Sequence, residues 1–126
     1  MARQTHLRSP ADFRRVYAGG VRFHGRLMTA FALPNGLEHH RFGITASRKA
    51  VGNAVERNRA KRLLRETFRL SSGALEALDV KYDWVLNARR ALLDVKLESS
   101  LEDFQMIVRQ AAQARARAES SSVEAR

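Results

Sequence analysis

The side chains with the most chemistry to offer are cations, and they are concentrated between Ser47 and Arg69. Arg48, Lys49, Arg57, Arg59, Lys61, Arg62, Arg65 and Arg69 lie in that stretch, opposed within it only by Glu56 and Glu66. Arg57, Lys61, Arg65 and Arg69 recur every fourth residue, which on a helix makes one row. Asn58 and Arg62 lie beside that row. Like charges four apart repel by about 0.2–0.5 kcal/mol per pair, so the row is best satisfied by a polyanion. Asn58 adds hydrogen bonding to a sugar, phosphate or base edge. Ala60, Leu63, Leu64, Thr67 and Leu70 form the apolar stripe expected to seat the helix on a core. A solvated surface helix would carry balancing acids, and these are missing. A basic amphipathic helix can also lie on anionic lipid, but this stripe is small, has no tryptophan and is needed by the core.

Other chemistries find little support. Asp94, Glu98 and Glu102 are spaced four apart, which on a helix reads as a solvated face rather than a metal-binding cluster. His39 and His40 are adjacent, point apart and have no partner at metal-ligand spacing. Gly52 stands alone, so no glycine-rich phosphate loop is formed. No protein active site is legible. The chain has no cysteine, which excludes disulfides, thiolate metal sites and a cysteine nucleophile. Its 126 residues suit one domain, 44% apolar residues suffice for a core, and a formal charge of +10 points to an anionic partner. No apolar run could cross a bilayer and no apolar signal core opens the chain, so a cytoplasmic location is expected.

The elements that must position these residues follow from local signals. Met1–Arg8 reads as a short, loose basic run. Ser9-Pro10-Ala11-Asp12 is a helix start, and Gly19-Gly20 its stop. Phe13 and Tyr17, four apart, share a face of that helix; they either pack into the core or offer rings for unpaired bases to stack on. Val21–Leu33 contains a strand, best defined from Leu27. Pro34-Asn35-Gly36 is a turn, and Arg41–Ser47 is the next strand, with Gly43, Thr45 and Ser47 on its small, polar face. A short link between two strands suggests an antiparallel hairpin. Gly52 permits a sharp turn, and Asn53 with Glu56 makes a capping box for the basic helix. Ser71-Ser72-Gly73 breaks that helix, and residues 74–81 connect it to a third strand at Tyr82–Ala88, with Trp84 in the core. Arg89 and Arg90 close that strand and could touch phosphate. Asp94 is the expected cap of a final helix with Leu97, Leu101, Phe104 and Val108 on its apolar stripe. The ordered core should span about residues 7–112 of a single domain covering 1–126, with 113–126 a frayed or disordered tail. The order is helix, strand, strand, helix, strand, helix.

The run Ser47-Arg-Lys-Ala-Val-Gly-Asn-Ala-Val-Glu-Arg-Asn-Arg-Ala-Lys-Arg-Leu-Leu-Arg-Glu66 resembles the signature of the bacterial ribonuclease P protein family, and the flanks fit over roughly residues 7 to 110. The Gly-Asn-Ala-Val step, the Arg-Asn-Arg box and the Lys-Arg that follows all stand in place. The resemblance implies an α/β (α+β) two-layer sandwich like the second domain of a small-subunit ribosomal protein, with a left-handed βαβ crossover against the usual rule. It implies an accessory subunit of an endoribonuclease that removes the 5′ leader from precursor tRNA, with an RNA subunit as catalyst and Mg²⁺ held mainly by that RNA. It further implies that Arg48, Lys49, Arg57, Asn58, Arg59, Lys61, Arg62 and Arg65 dock on the catalytic RNA, and that Phe13, Tyr17 and Phe31 line a cleft for the leader. Phe23 is aromatic but cannot be placed on that cleft. The implied partners are the catalytic RNA and precursor tRNA, with no further protein and no membrane. A ribosome-associated RNA-binding protein would share the charge, size and fold class, and only the Arg-Asn-Arg box with its lead separates the two.

Overall fold

Ser9 opens the first helix as its type dictates: its Oγ accepts the Asp12 amide at 3.1 Å, with Pro10 in the first turn. The computed structural model, which describes residues 5–124, orders the chain as α1 (Pro10–Gly19), β1 (Val21–His24), β2 (Met28–Pro34), β3 (Arg41–Thr45), α2 (Ala54–Leu70), a short α3 (Ser72–Glu76), β4 (Tyr82–Ala88), a 3₁₀ turn (Arg90–Asp94) and α4 (Leu97–Glu124). The strands form one sheet in the order β1-β2-β4-β3. β1–β2 and β2–β4 are antiparallel, whereas β3–β4 is parallel. A parallel pair needs a crossover, and α2 with α3 supplies it.

The sheet separates two apolar sets by simple alternation. Ala30 and Ala32 of β2, Phe42 of β3 and Trp84 and Leu86 of β4 pack with Leu64 and Phe68 of α2 and Phe104 and Ile107 of α4. Phe31 and Leu33 of β2 and Val85 of β4 face the other way, against Phe13 and Val16 of α1 and Leu7. The result is the expected α+β sandwich of sheet against α2 and α4, with α1 on part of the opposite face. Trp84 is fully buried, its ring 5.4 Å from Phe104 and 5.5 Å from Tyr82.

Several expectations are corrected. Val21–Leu33 holds two strands, not one, because the chain reverses at Gly25. The Asp103 carboxylate of α4 accepts the Arg26 and Leu27 amides at 3.0 and 2.9 Å, and a Cβ on Gly25 would fall 2.4 Å from that carboxylate. The expected hairpin between β2 and β3 does not form, since β4 lies between them. β4 is buried on both faces along nearly its whole length, so it takes the interior of the sheet and leaves β3 at an edge. Asp94 ends the 3₁₀ turn instead of capping α4, which starts at Leu97.

The ends differ too. Residues 1–4 of the basic N-terminal run lie outside the described residues, but Thr5 and Leu7 are bonded to the free edge of β3. Leu7 donates to the Phe42 carbonyl and Phe42 to the Thr5 carbonyl, each at 2.8 Å. Beyond Ala111 the backbone stays helical to Glu124, where composition suggested fraying. Ala and Arg are strong helix formers, and Arg115 pairs with Glu119 one turn on at 3.2 Å.

Candidate nucleic-acid interface

The turn that launches α2 is determined by three residues. Gly52 has φ +137°, and a Cβ there would fall 2.2 Å from the Glu56 carboxylate. Asn53 Oδ1 accepts the Glu56 amide at 2.9 Å, and Glu56 Oε1 accepts the Asn53 amide at 3.0 Å, completing the capping box. Glu56 also receives Arg90 at 3.3 Å, and Arg90 donates to the Val51 carbonyl. Arg89 donates to the Gly25 carbonyl at 3.1 Å. These two arginines thus brace backbone turns while remaining exposed.

On α2 the cationic row is not uniformly exposed. Arg57 and Lys61 are half-buried, while Arg65 and Arg69 are exposed. A spacing of four overshoots a 3.6-residue turn by about 40° per step, so the row winds outward along the helix. The buried side is Ala60, Leu64, Thr67 and Phe68; Leu70, expected in the stripe, is 44% exposed, and Phe68 takes the inner position. The Arg57 Nε is buried with no hydrogen-bond partner among the described residues, so packing aims its guanidinium. Asn58, Arg59 and Arg62 are exposed. Arg48 and Lys49, also exposed, stand on the turn between β3 and α2, where Ser47 Oγ accepts the Ala50 amide at 3.1 Å. Among the described residues, none of Arg48, Lys49, Arg57, Arg59, Lys61, Arg62 and Arg65 is in an ion pair, whereas Arg69 is paired with Glu66. Seven unpaired cations within eighteen residues give a local field that only an anionic partner or counterions can neutralise.

The three aromatic candidates meet on the opposite side of the sheet. Tyr17 and Phe31 pack edge to face at 4.8 Å, and Arg22, cross-strand from Phe31, lies 5.8 Å over its ring. Tyr17 is 39% exposed. Phe13 sits deeper: a Cβ on Gly43 would fall 2.5 Å from its ring, so the ring fills the space that the missing Gly43 side chain leaves. Phe23 lies on the other face, packed against the main core.

Sequence reasoning missed the polar groups on this side of the sheet. Asn87 Oδ1 accepts from the Tyr17 hydroxyl at 2.9 Å and from Thr45 Oγ1 at 2.7 Å. Asp83, fully buried, receives Arg41 through two bonds of 2.8 and 2.6 Å, Arg15 at 2.6 Å and Asn35 at 3.0 Å. Burial alone would raise the Asp83 pKa, but the hydrogen bonds from Arg41, Asn35 and Arg15 outweigh it and hold the carboxyl below its usual range. The signal was a lone acid inside a mostly apolar strand. His40 is likewise structural. Its Nδ1 accepts from the Tyr82 amide at 3.0 Å and Trp84 Nε1 at 3.2 Å, so its Nε2–H donates to the Leu75 carbonyl at 3.1 Å. Burial lowers its pKa. Asp94, Glu98 and Glu102 are exposed, and no three His, Cys, Asp or Glu side chains are grouped to hold a metal among the described residues.

The domain thus presents a row of cations on α2 and, across the sheet, the packed rings of Tyr17 and Phe31. The family model described as Ribonuclease P matches residues 1–112, and the chain belongs to that family. It is 34% identical over 105 residues to the ribonuclease P protein component of Caldanaerobacter subterraneus subsp. tengcongensis, covering 83% of this chain and 87% of that relative. Identity to the Methylococcus capsulatus component is 44% over 77 residues, 61% of this chain; the chain spans 60% of that relative's length. Among solved structures, the Staphylococcus aureus RNase P protein superimposes with a TM-score of 0.72 at 27% identity, covering 86% of this chain and 96% of that one. The Thermotoga maritima RNase P protein gives 0.71 at 27% identity, covering 83% and 96%. No helix of the described residues is long and apolar enough to cross a membrane.

Proposed function

We propose that this chain is the protein subunit of a ribonuclease P that removes the 5′ leader of precursor tRNA, with an RNA subunit as catalyst. Family membership and the unpaired cationic face of α2 support this reading. Arg57, Asn58, Arg59, Lys61, Arg62 and Arg65 dock on the catalytic RNA through phosphates and sugar edges. Tyr17 and Phe31, with Phe13 beneath, receive unpaired leader bases by stacking. Arg48 and Lys49, three and four residues past Thr45, assist on phosphates of the catalytic RNA. The observation that carries the reading is this pairing of separate surfaces on one rigid sheet: one RNA can be held while another is positioned beside it. Binding energy from the leader then places the scissile phosphodiester at the RNA's active site. Mg²⁺ held by the RNA supplies charge neutralisation and an activated water for hydrolysis. The chain contributes binding and orientation, and it requires no second protein.

The test is leader cleavage by the cognate RNA at low Mg²⁺, with and without this chain. Rescue of cleavage at the mature 5′ end is expected, together with no cleavage by the protein alone. Cleavage by protein free of RNA, or failure to rescue, would refute the assignment. Failure to rescue with retained binding to ribosomal RNA would favour the ribosome-associated alternative.

A further inference from the structure

A cleft of about 490 Å³ lies between the outer edge of β3, the end of α2 and the start of α3, and shares only Arg65 with the two proposed RNA surfaces. Its floor is aromatic and apolar. Phe42 and Phe68 stack at 4.2 Å, Leu75 closes the base, and the exposed His6 ring stands 4.5 Å from Phe42 at the outer end. Behind it the outer backbone groups of Phe42 are already bonded to Thr5 and Leu7, so an added β-strand cannot pair with Phe42. The acids at the rim are neutralised: Glu66 by Arg69, and Glu76 by Lys81 at 3.2 Å. Arg65 is the rim cation left without an ion pair among the described residues, and it also belongs to the α2 face.

A cleft of this size is in the range that encloses a small planar ligand. Its floor suits a flat π-system, and its one uncompensated charge suits a phosphate. A base held in a duplex cannot enter; an unpaired base extruded from its stack can. We propose that this cleft takes one unpaired nucleotide of the RNA lying on α2, with the base among His6, Phe42 and Phe68 and its phosphate on Arg65. This rests on the RNA contact proposed above, and it extends that contact past the end of the helix.

The experiment uses the full chain with its cognate ribonuclease P RNA. Ser72 is exposed at the cleft mouth and belongs to neither proposed surface. Ser72→Trp should block the cleft and weaken RNA binding roughly 5- to 150-fold, the loss of one stacked base. Ser72→Ala should bind as the parent does. Chemical probing of the RNA should show one unpaired nucleotide, protected by the parent protein, becoming reactive with Ser72→Trp while other protections persist. If Ser72→Trp lowers the unfolding midpoint, His6→Ala is read instead, with the same expectation. Unchanged affinity and protection in these variants, while Arg57→Ala with Lys61→Ala weakens binding, would overturn the cleft proposal and leave the α2 contact standing. If none of the variants weakens binding, the α2 contact fails and the cleft proposal falls with it.

Discussion

Tyr17→Ala separates a substrate-binding ring from a structural one. The side chain makes an edge-to-face contact with Phe31 at 4.8 Å and a hydroxyl bond to Asn87 at 2.9 Å, yet remains 39% exposed. An aromatic pair contributes about 0.5–1.5 kcal/mol and a neutral hydrogen bond about 0.5–1.5 kcal/mol net. Truncation should therefore cost about 1–2 kcal/mol of stability, near the low end because water replaces the lost contacts. At about 4 °C per kcal/mol for a domain of this size, the unfolding midpoint should fall by about 4–8 °C. Trp84→Ala, at a fully buried site, should cost about 3–5 kcal/mol, or about 12–20 °C. Binding should order the two variants the other way. Loss of one stacked base costs about 1–3 kcal/mol, so the holoenzyme Kd for precursor tRNA should rise roughly 5- to 150-fold with Tyr17→Ala. The Kd for mature tRNA, which has no leader, should hardly change. The assay is holoenzyme affinity for both RNAs beside thermal unfolding of each variant. Equal weakening of both RNAs, or destabilisation as large as that of Trp84→Ala, would show that the ring is ordinary core.

Other outcomes follow from the same geometry. Arg57→Ala with Lys61→Ala should flatten the dependence of log K on log[salt] by about 1.4, at roughly 0.7 per phosphate contact with single strands, and leave the helical circular dichroism intact; an unchanged slope would place RNA elsewhere. Asp83→Ala should cost about 3–5 kcal/mol in urea unfolding because Arg41 and Arg15 lose their carboxylate, and a loss below 1 kcal/mol would mean the cluster is already wet. The folded pKa of Asp83 is depressed, so its stabilisation is present above about pH 4 and is lost as pH falls through the folded value. His40 has the same sign for the opposite reason: burial disfavours its charged form and lowers its folded pKa, so stability is complete above about pH 6.5 and falls as acid forces a proton onto Nδ1, which already accepts two bonds. The unfolding midpoint should drop between pH 7 and 5 in the parent and much less in His40→Gln; a flat parent profile would contradict the buried neutral tautomer.

By itself the sequence determined what short-range physics controls. Ser9 and Pro10 start α1, Gly52, Asn53 and Glu56 start α2, and the four-residue spacing of Arg57, Lys61 and Arg65 makes a row, because each depends only on neighbours within one turn. Period-two alternation placed Phe31 and Trp84 on strand faces. What it could not carry was pairing between distant segments. β4 displaces β3 from β2 because a strand buried on both faces must sit inside the sheet, and that depends on α1, α2 and α4 together. The β1–β2 reversal rests on Asp103, 76 residues beyond Leu27. Asp83 and His40 look like surface polar residues until Arg41, Arg15, Trp84 and Leu75 converge on them. Those contacts join residues far apart in the chain, and only the closed fold brings their donors and acceptors within bonding distance.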